Sequence, residues 1–306
     1  MGRNAIVGQS GGPTAVINSS LVGVFQAAKS RGAQHVYGMR YGVKGLLEEQ
    51  VVDLSDTLRD NLDIEILKRT PASYLGSCRY KLPVPAEDPA LYEKLFGILK
   101  KLDVGYFFYI GGNDSMDTIS KLSDYACMTG SDIKFMGVPK TIDNDLMNTD
   151  HTPGYGSAAK YIGAIMKEIT RDSLVYGTRN VTIVEVMGRN AGWLTGAAAL
   201  AKAEDCEGVD MICLPEVAFD IDHFIERLDV LQRAKAGVVI AVSEGVRVHD
   251  GRYVCELTEE LGPVDAFGHK TLTGAARFLA NKAVRELGCK ARAIELSTLA
   301  SLLRFQ

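Results

Sequence analysis

The sequence predicts an α/β protein made of two doubly wound, mostly parallel sheet domains. Three observations carry that expectation. Short apolar runs alternate with amphipathic stretches along the whole chain. Several of those runs lack polar alternation, as strands covered on both faces do. A length of 306 residues suits about two domains rather than one.

Residues 5–7 read as a strand, followed by a helical pattern over 15–30 and a strand at 35–39. Leu91, Leu95, Ile98 and Leu99 share one face of a helix over 91–102, whose end suits Lys100 and Lys101. Residues 104–110 are apolar and aromatic, broken only by Gly105, and read as a strand buried on both sides. The runs 133–138, 181–187, 211–214 and 238–242 read the same way. Between them, 156–174, 191–203 and 220–234 are predicted helices. The stretch 139–156 has no periodicity and is rich in Pro, Gly, Asn and Asp. It marks the boundary, giving domains 1–150 and 151–306.

Composition narrows the functional classes. With 46% hydrophobic and 24% charged residues, the chain has the balance of an ordinary soluble globular protein. A net charge of −4 leaves no basic footprint, so no nucleic acid and no membrane is an expected partner. No apolar run is long enough to span a bilayer. A small phosphorylated ligand stays open, because a few local cations hold it whatever the overall sign. The six cysteines (Cys78, Cys127, Cys206, Cys213, Cys255, Cys289) are scattered, which predicts reduced, mostly buried thiols and a cytoplasmic location. Met1-Gly2-Arg3-Asn4 passes straight into the first strand, so no signal peptide is expected. The five histidines form no metal-spaced cluster, and the single Trp193 is expected in the core.

Ligands of parallel sheets lie beyond the C-terminal ends of strands, and four such ends carry glycine and polar residues. Gly8 leads into Gln9-Ser10-Gly11-Gly12-Pro13-Thr14, and Ile110 into Gly111-Gly112-Asn113-Asp114-Ser115, each followed by a helix. Free N–H groups at a helix start favour a phosphate, although a tight turn without a ligand explains either one alone. Neither matches the Walker A pattern. Thr141-Ile142-Asp143-Asn144-Asp145 places two carboxylates two residues apart after a strand. Phosphoryl transfer to an alcohol needs a base and a charge-bearing group; taken alone, an Asx-rich turn accounts for the same residues. Glu185-Val186-Met187-Gly188-Arg189 sets a glycine beside a guanidinium able to reach phosphate, where a surface arginine is the ordinary explanation.

Together these segments, with Gly76-Ser77-Cys78-Arg79-Tyr80-Lys81 and Ser243-Glu244-Gly245, resemble the phosphofructokinase family from Ile6 to about Ser297. The resemblance implies that Asp143 is the base acting on a sugar 1-hydroxyl, with Thr141, Lys140 and Arg189 at the transferring phosphoryl group. It places Thr141, Ile142, Asp143, Met187, Gly188, Arg189, Glu244 and Arg292 around the sugar phosphate, Arg292 acting on a neighbouring subunit's ligand. Gly11, Gly12, Arg79, Lys81, Gly112, Asp114 and Lys140 would face the phosphoryl donor. Mg2+ is the implied cofactor, held by Asn113, Asp114 and Asp145.

Members of this family that use ATP resemble one another in carrying glycine at the positions of Asp114 and Lys140. A carboxylate there crowds a nucleotide's α-phosphate, and a lysine supplies a cation for pyrophosphate. The expected reaction is therefore that of the pyrophosphate-dependent branch, a glycolytic phosphoryl transfer from pyrophosphate to fructose 6-phosphate. The expected assembly is a homodimer or homotetramer. Two other functions remain open: an ATP-dependent 6-phosphofructokinase, or a non-catalytic sugar-phosphate-binding homologue. The latter follows from the chain's end, where Ala300 and Ser301 stand in place of the family's glutamine and arginine. The sugar-phosphate domain is thus expected to be incomplete at its C-terminal end.

Overall fold

The computed structural model describes residues 3–175, 177–257 and 274–296. The expectations about Ala300 and Ser301 concern residues outside that set. Contacts divide the chain into two compact units meeting between Thr141 and Ile142.

In the first unit the elements follow as β1 (Asn4–Gln9), α1 (Ile17–Ser30), β2 (Val36–Met39), α2 (Gly42–Leu47) and β3 (Val51–Asp53). Then come α3 (Leu54–Thr57), α4 (Asn61–Arg69), α5 (Pro89–Lys101), β4 (Val104–Gly111), α6 (Asn113–Thr129) and β5 (Lys134–Pro139). The strands order as β3-β2-β1-β4-β5. All pairs are parallel except β2 with β3. Period-two alternation sends Ile6, Phe107 and Tyr109 to one face, against α2 and α5. Ala5, Val7 and Ile110 go to the other, against α1 and α4. The order reverses direction between β1 and β4, the place where doubly wound sheets bind ligands.

The second unit contains α7 (Tyr155–Ser173), β6 (Asn180–Val186), α8 (Trp193–Gly196), β7 (Met211–Cys213), α9 (Ile221–Ala234), β8 (Gly237–Ser243), α10 (Ala275–Leu287) and β9 (Lys290–Glu295). Its strands order as β7-β8-β6-β9, all parallel. Val181, Ile183, Val238 and Ile240 pack against α9 and α10. Val184, Val186, Val239 and Ala241 pack against α7 and α8 on the opposite face.

Three sequence expectations need correction. Strands β5 and β7 are not covered on both faces: each is the edge of its sheet, with Lys134 and Met136 exposed in β5 and the three residues of β7 only half-buried. The helix expected over 191–203 is one α-turn, α8, followed by a 3-10 segment at Ala197–Ala201. Trp193 is 57% exposed. As the first residue of that single turn, it lies outside while Leu194 and Thr195 take the inward positions.

The candidate half-sites at the strand ends

In the first unit, three segments converge where the sheet order reverses. After β1, Ser10 N donates to Ile110 O at 2.9 Å, which fastens the loop to β4. Gly11 sits at φ +74°, in the left-handed region glycine tolerates. Its N–H donates to Cys78 O at 3.2 Å, and its carbonyl accepts from Ser77 Oγ at 2.6 Å. The Ser10 and Ser115 hydroxyls share a short hydrogen bond, and a Cβ on Gly111 would strike both side chains. Helix α6 therefore begins tight against the loop. Gly112 is its N-cap without a side-chain cap, and Asn113 and Asp114 are exposed in its first turn.

Lys140 completes this half. Its N–H donates to Gly111 O at 3.0 Å, and its Nζ donates to Gly12 O at 2.5 Å. Only 4% of the residue is exposed. The structure thus gathers Gly11, Gly12, Gly112, Asp114 and Lys140 at one switch point, with Arg79 one residue beyond Cys78. Arg79 and Lys81 are exposed, while Tyr80 between them packs toward the α2 and α5 face.

The second unit presents carboxylates. Ile142 is buried with Ala158, Ile162 and Leu194, and Asn144, 6% exposed, anchors the following turn. The Asn144 side chain donates to Asp150 O at 3.0 Å and accepts from Thr152 N at 2.8 Å. Its φ of +57° suits asparagine better than most residues. Asp143 is held between these two anchors, half-buried, while Asp145 is exposed.

Beyond β6 and β8, two strand ends are stitched together. Glu244 N donates to Val186 O at 3.0 Å, and Gly188 N donates to Glu244 Oε1 at 3.3 Å. Ser243 Oγ donates to Gly188 O at 2.7 Å. Gly188 has φ +134°, and a Cβ there would strike the Ala191 carbonyl. A Cβ on Gly245 would strike the Arg189 carbonyl. Burial raises the Glu244 carboxyl to about 7; the Gly188 N–H opposes this, and the nearby Asp143 and Glu185 charges add to it.

Glu185 had no role in the sequence analysis beyond marking the motif. It is 4% exposed and accepts from Gly274 N and from Ala276 N, the latter at 2.9 Å. Helix α10 has a glycine N-cap and no side-chain cap of its own, so this carboxylate supplies one from 89 residues away. Burial pushes its pKa up.

Arg292 is not brought to this cluster. In β9 it pairs with Thr182, six positions before Gly188. At about 3.3 Å per residue, the four residues from Thr182 to the end of β6 at Val186 put it roughly 13 Å short of that strand end. It lines a cavity of about 350 Å³ with Asp172, Asn180 and Lys290, and its guanidinium lies 3.5 Å from Asp172. Among the described residues, no group of three or more His, Cys, Asp or Glu side chains could hold a metal ion. No helix among them is long and apolar enough to cross a membrane.

Two doubly wound, mostly parallel sheets with glycine-rich and acidic strand ends define an α/β protein of the kind that binds phosphorylated small molecules. A phosphofructokinase family model matches residues 4–296, and the chain belongs to that family. It is 41% identical over 293 residues to the pyrophosphate–fructose 6-phosphate 1-phosphotransferase of Methylococcus capsulatus, covering 94% of this chain and 68% of that protein. The enzyme of the same name from Xanthomonas campestris is 41% identical over 289 residues, with the same coverage. Among solved structures, the pyrophosphate-dependent phosphofructokinase of Nitrosospira multiformis superposes with a TM-score of 0.84 at 35% identity, covering 98% of this chain and 70% of that one.

Proposed function

We propose that the protein transfers a phosphoryl group from pyrophosphate to the 1-hydroxyl of fructose 6-phosphate, giving fructose 1,6-bisphosphate and phosphate. The observation that carries this reading is the likeness, at 39–41% identity over most of the chain, to relatives named for that reaction. Lys140 supports the choice of donor. A buried ammonium beside the Gly11-Gly12 loop favours a compact polyanion, and Asp114 at the α6 start disfavours a third phosphate. Arg79, and Lys81 two residues on, add exposed positive charge.

In the second unit, Asp143 takes the proton of the attacking hydroxyl and Arg189 bears charge on the phosphoryl oxygens. Thr141 contributes a hydroxyl to the same group. Glu244, held by Gly188, accepts from the sugar's hydroxyls, with Met187 and the Gly188 backbone lining that side. Keeping Glu244 partly protonated near neutral pH lessens repulsion beside the Asp143 base. Residues 1–150 would hold the donor and 151–306 the sugar phosphate. Arg292 serves the sugar phosphate of a neighbouring copy in a homodimer or homotetramer, in keeping with its distance from Glu244.

Enzymes of this family use a divalent metal, and Mg2+ suits the donors present. Asn113 and Asp114 offer exposed oxygen atoms, and Mg2+ commonly takes one or two protein oxygens with the rest from phosphate and water. Asp145 is the third proposed oxygen donor. Bound with pyrophosphate, Mg2+ would offset the charge of the leaving phosphate. Steady-state assays with fructose 6-phosphate, Mg2+ and either pyrophosphate or ATP test the reading. Turnover with ATP alone would overturn the donor assignment.

A further inference from the structure

Two of the most deeply buried polar side chains of the first unit are Gln9, 0% exposed, and Asn18, 1% exposed. Neither has a part in the donor site described above. Gln9 closes β1 and Asn18 lies in the first turn of α1, so the two flank the Gly11-Gly12 loop in sequence.

Their amides form a continuous circuit. Gln9 Nε2 donates to Asn18 Oδ1 at 2.9 Å and to Ile17 O at 3.2 Å, and Gln9 Oε1 accepts from Leu75 N at 2.9 Å. Asn18 Oδ1 also accepts from Tyr74 N at 3.0 Å. Asn18 Nδ2 donates to Thr70 O and Ala72 O, both at 2.8 Å. Both amides therefore use both of their N–H donors, and each amide oxygen accepts at least once, on one another and on the backbone.

The chain from Thr70 to Lys81 belongs to no helix or strand. Its backbone has no ladder, and Ala72 takes a φ of +62° that costs a non-glycine residue. It is fastened by this amide pair at 70–75, by Tyr41 N donating to Leu75 O at 2.9 Å and, further on, by the Gly11 contacts of Ser77 and Cys78. Arg79 follows directly and is exposed. The fastenings before it, and the packing of Tyr80 and Leu82 after it, set where its backbone runs.

We propose that Gln9 and Asn18 are positioning residues for the phosphoryl donor. They clamp the 70–78 strap so that the Arg79 guanidinium is held at the Gly11-Gly12 loop. The inference rests on the reading of that loop as the pyrophosphate half-site. The device suits a charged ligand. A buried amide is neutral, so the clamp rigidifies the loop without competing with Arg79 or Lys140 for the anion.

The test uses conservative variants of the whole protein. Gln9→Glu keeps the acceptor for Leu75 N and loses the donors to Asn18 and Ile17. Asn18→Asp keeps the acceptor for Tyr74 N and sets a carboxylate oxygen against two carbonyls. Each is expected to raise the pyrophosphate KM about ten-fold or more, as misplacement of a charged group does, with the fructose 6-phosphate KM changed less than about two-fold. Ser19→Ala is the control. It removes a hydroxyl that reaches Lys68 O at 3.4 Å without touching the strap, and neither KM should move.

Combination with Arg79→Ala separates positioning from general loosening. In that background Gln9→Glu is expected to cause little further loss, because the guanidinium it positions is gone. Additive losses, or the two KM values rising together with a lowered Tm, would overturn the inference. If the unaltered protein shows no turnover with pyrophosphate, the functional reading fails and the inference with it. If it turns over pyrophosphate normally and the losses are additive, only the inference fails.

Discussion

The two units share an architecture and fill it with opposite chemistry. Both place ligand-facing loops at the C-terminal ends of parallel strands. The first unit offers backbone: glycines at Gly11, Gly12 and Gly112, an uncapped helix start at α6, and the buried amine of Lys140. The second offers carboxylates, Asp143, Glu185 and Glu244: burial raises Glu185 and Glu244, and the Asp143 and Glu185 charges raise Glu244 further. Under the proposed function, the difference follows from what each half would hold. An anion is best met by N–H groups and cations that need no rearrangement. A hydroxyl that must lose its proton needs an acceptor whose basicity the protein sets.

The sharpest way to break this contrast is Asp143→Asn. If the second unit does the proton chemistry, kcat with pyrophosphate should fall about 1000-fold, within the range seen for removal of a general base. Circular dichroism and Tm should be nearly unchanged, because the buried Ile142 and Asn144 on either side anchor the segment. Retained turnover would move the base elsewhere.

Lys140→Met tests the first unit's side. It removes the ammonium and keeps most of the stem's volume. The expected result is a pyrophosphate KM raised roughly 10–100-fold, the scale of a lost charge-assisted hydrogen bond. Fructose 6-phosphate binding, measured by calorimetry, should be nearly unaffected. An equal loss for both substrates would mean that the two halves do not divide the work.

A smaller effect concerns pH. Glu244 has a folded pKa of about 7, above the ordinary value of about 4.3. The folded state thus binds this proton more tightly than the unfolded state does. The group costs nothing below about pH 4, and its cost grows between about pH 4 and 7 and then stays constant. Without ligands, Glu244→Gln should match the unaltered protein in denaturant unfolding at about pH 4 and exceed it by on the order of 1–3 kcal/mol at about pH 8. A constant difference across that range would show that Glu244 is not the group being titrated.

Much of the fold could be read from the chain because central strands betray themselves. β1, β6 and β8 are buried on both faces, and β4 is apart from Tyr106 and Phe108, so their apolar runs are nearly unbroken. The edge strands were harder. In β9 the sequence Lys290-Ala291-Arg292-Ala293 alternates charged with small residues, and β3 is three residues joined in antiparallel fashion. Helices α2 and α3 are too short to display a period. In the site, residues that follow strands were legible because glycine and acidic clusters stand out there. Gln9, Asn18 and Glu185 were not, since their roles depend on partners 52 to 91 residues away. A buried amide in a strand end looks like any turn residue until its partners are known.

The uneven burial of the thiols makes the protein its own reporter of conformational opening. All six cysteines are free. Burial raises Cys213 to about 12 and Cys255 to about 11 and pushes Cys289 up as well, so thiolate, the reactive form, is scarce there. Cys127 is exposed, and Cys78, half-buried, lies 3.4 Å from the Tyr109 hydroxyl while its carbonyl holds Gly11. A thiol reagent should therefore label Cys127 in a fast phase, Cys78 more slowly and the rest only on unfolding. Pyrophosphate should slow the Cys78 phase alone, by mass spectrometry of the labelled peptides. The rate of that one phase would then clock how often the strap beside Gly11 comes away.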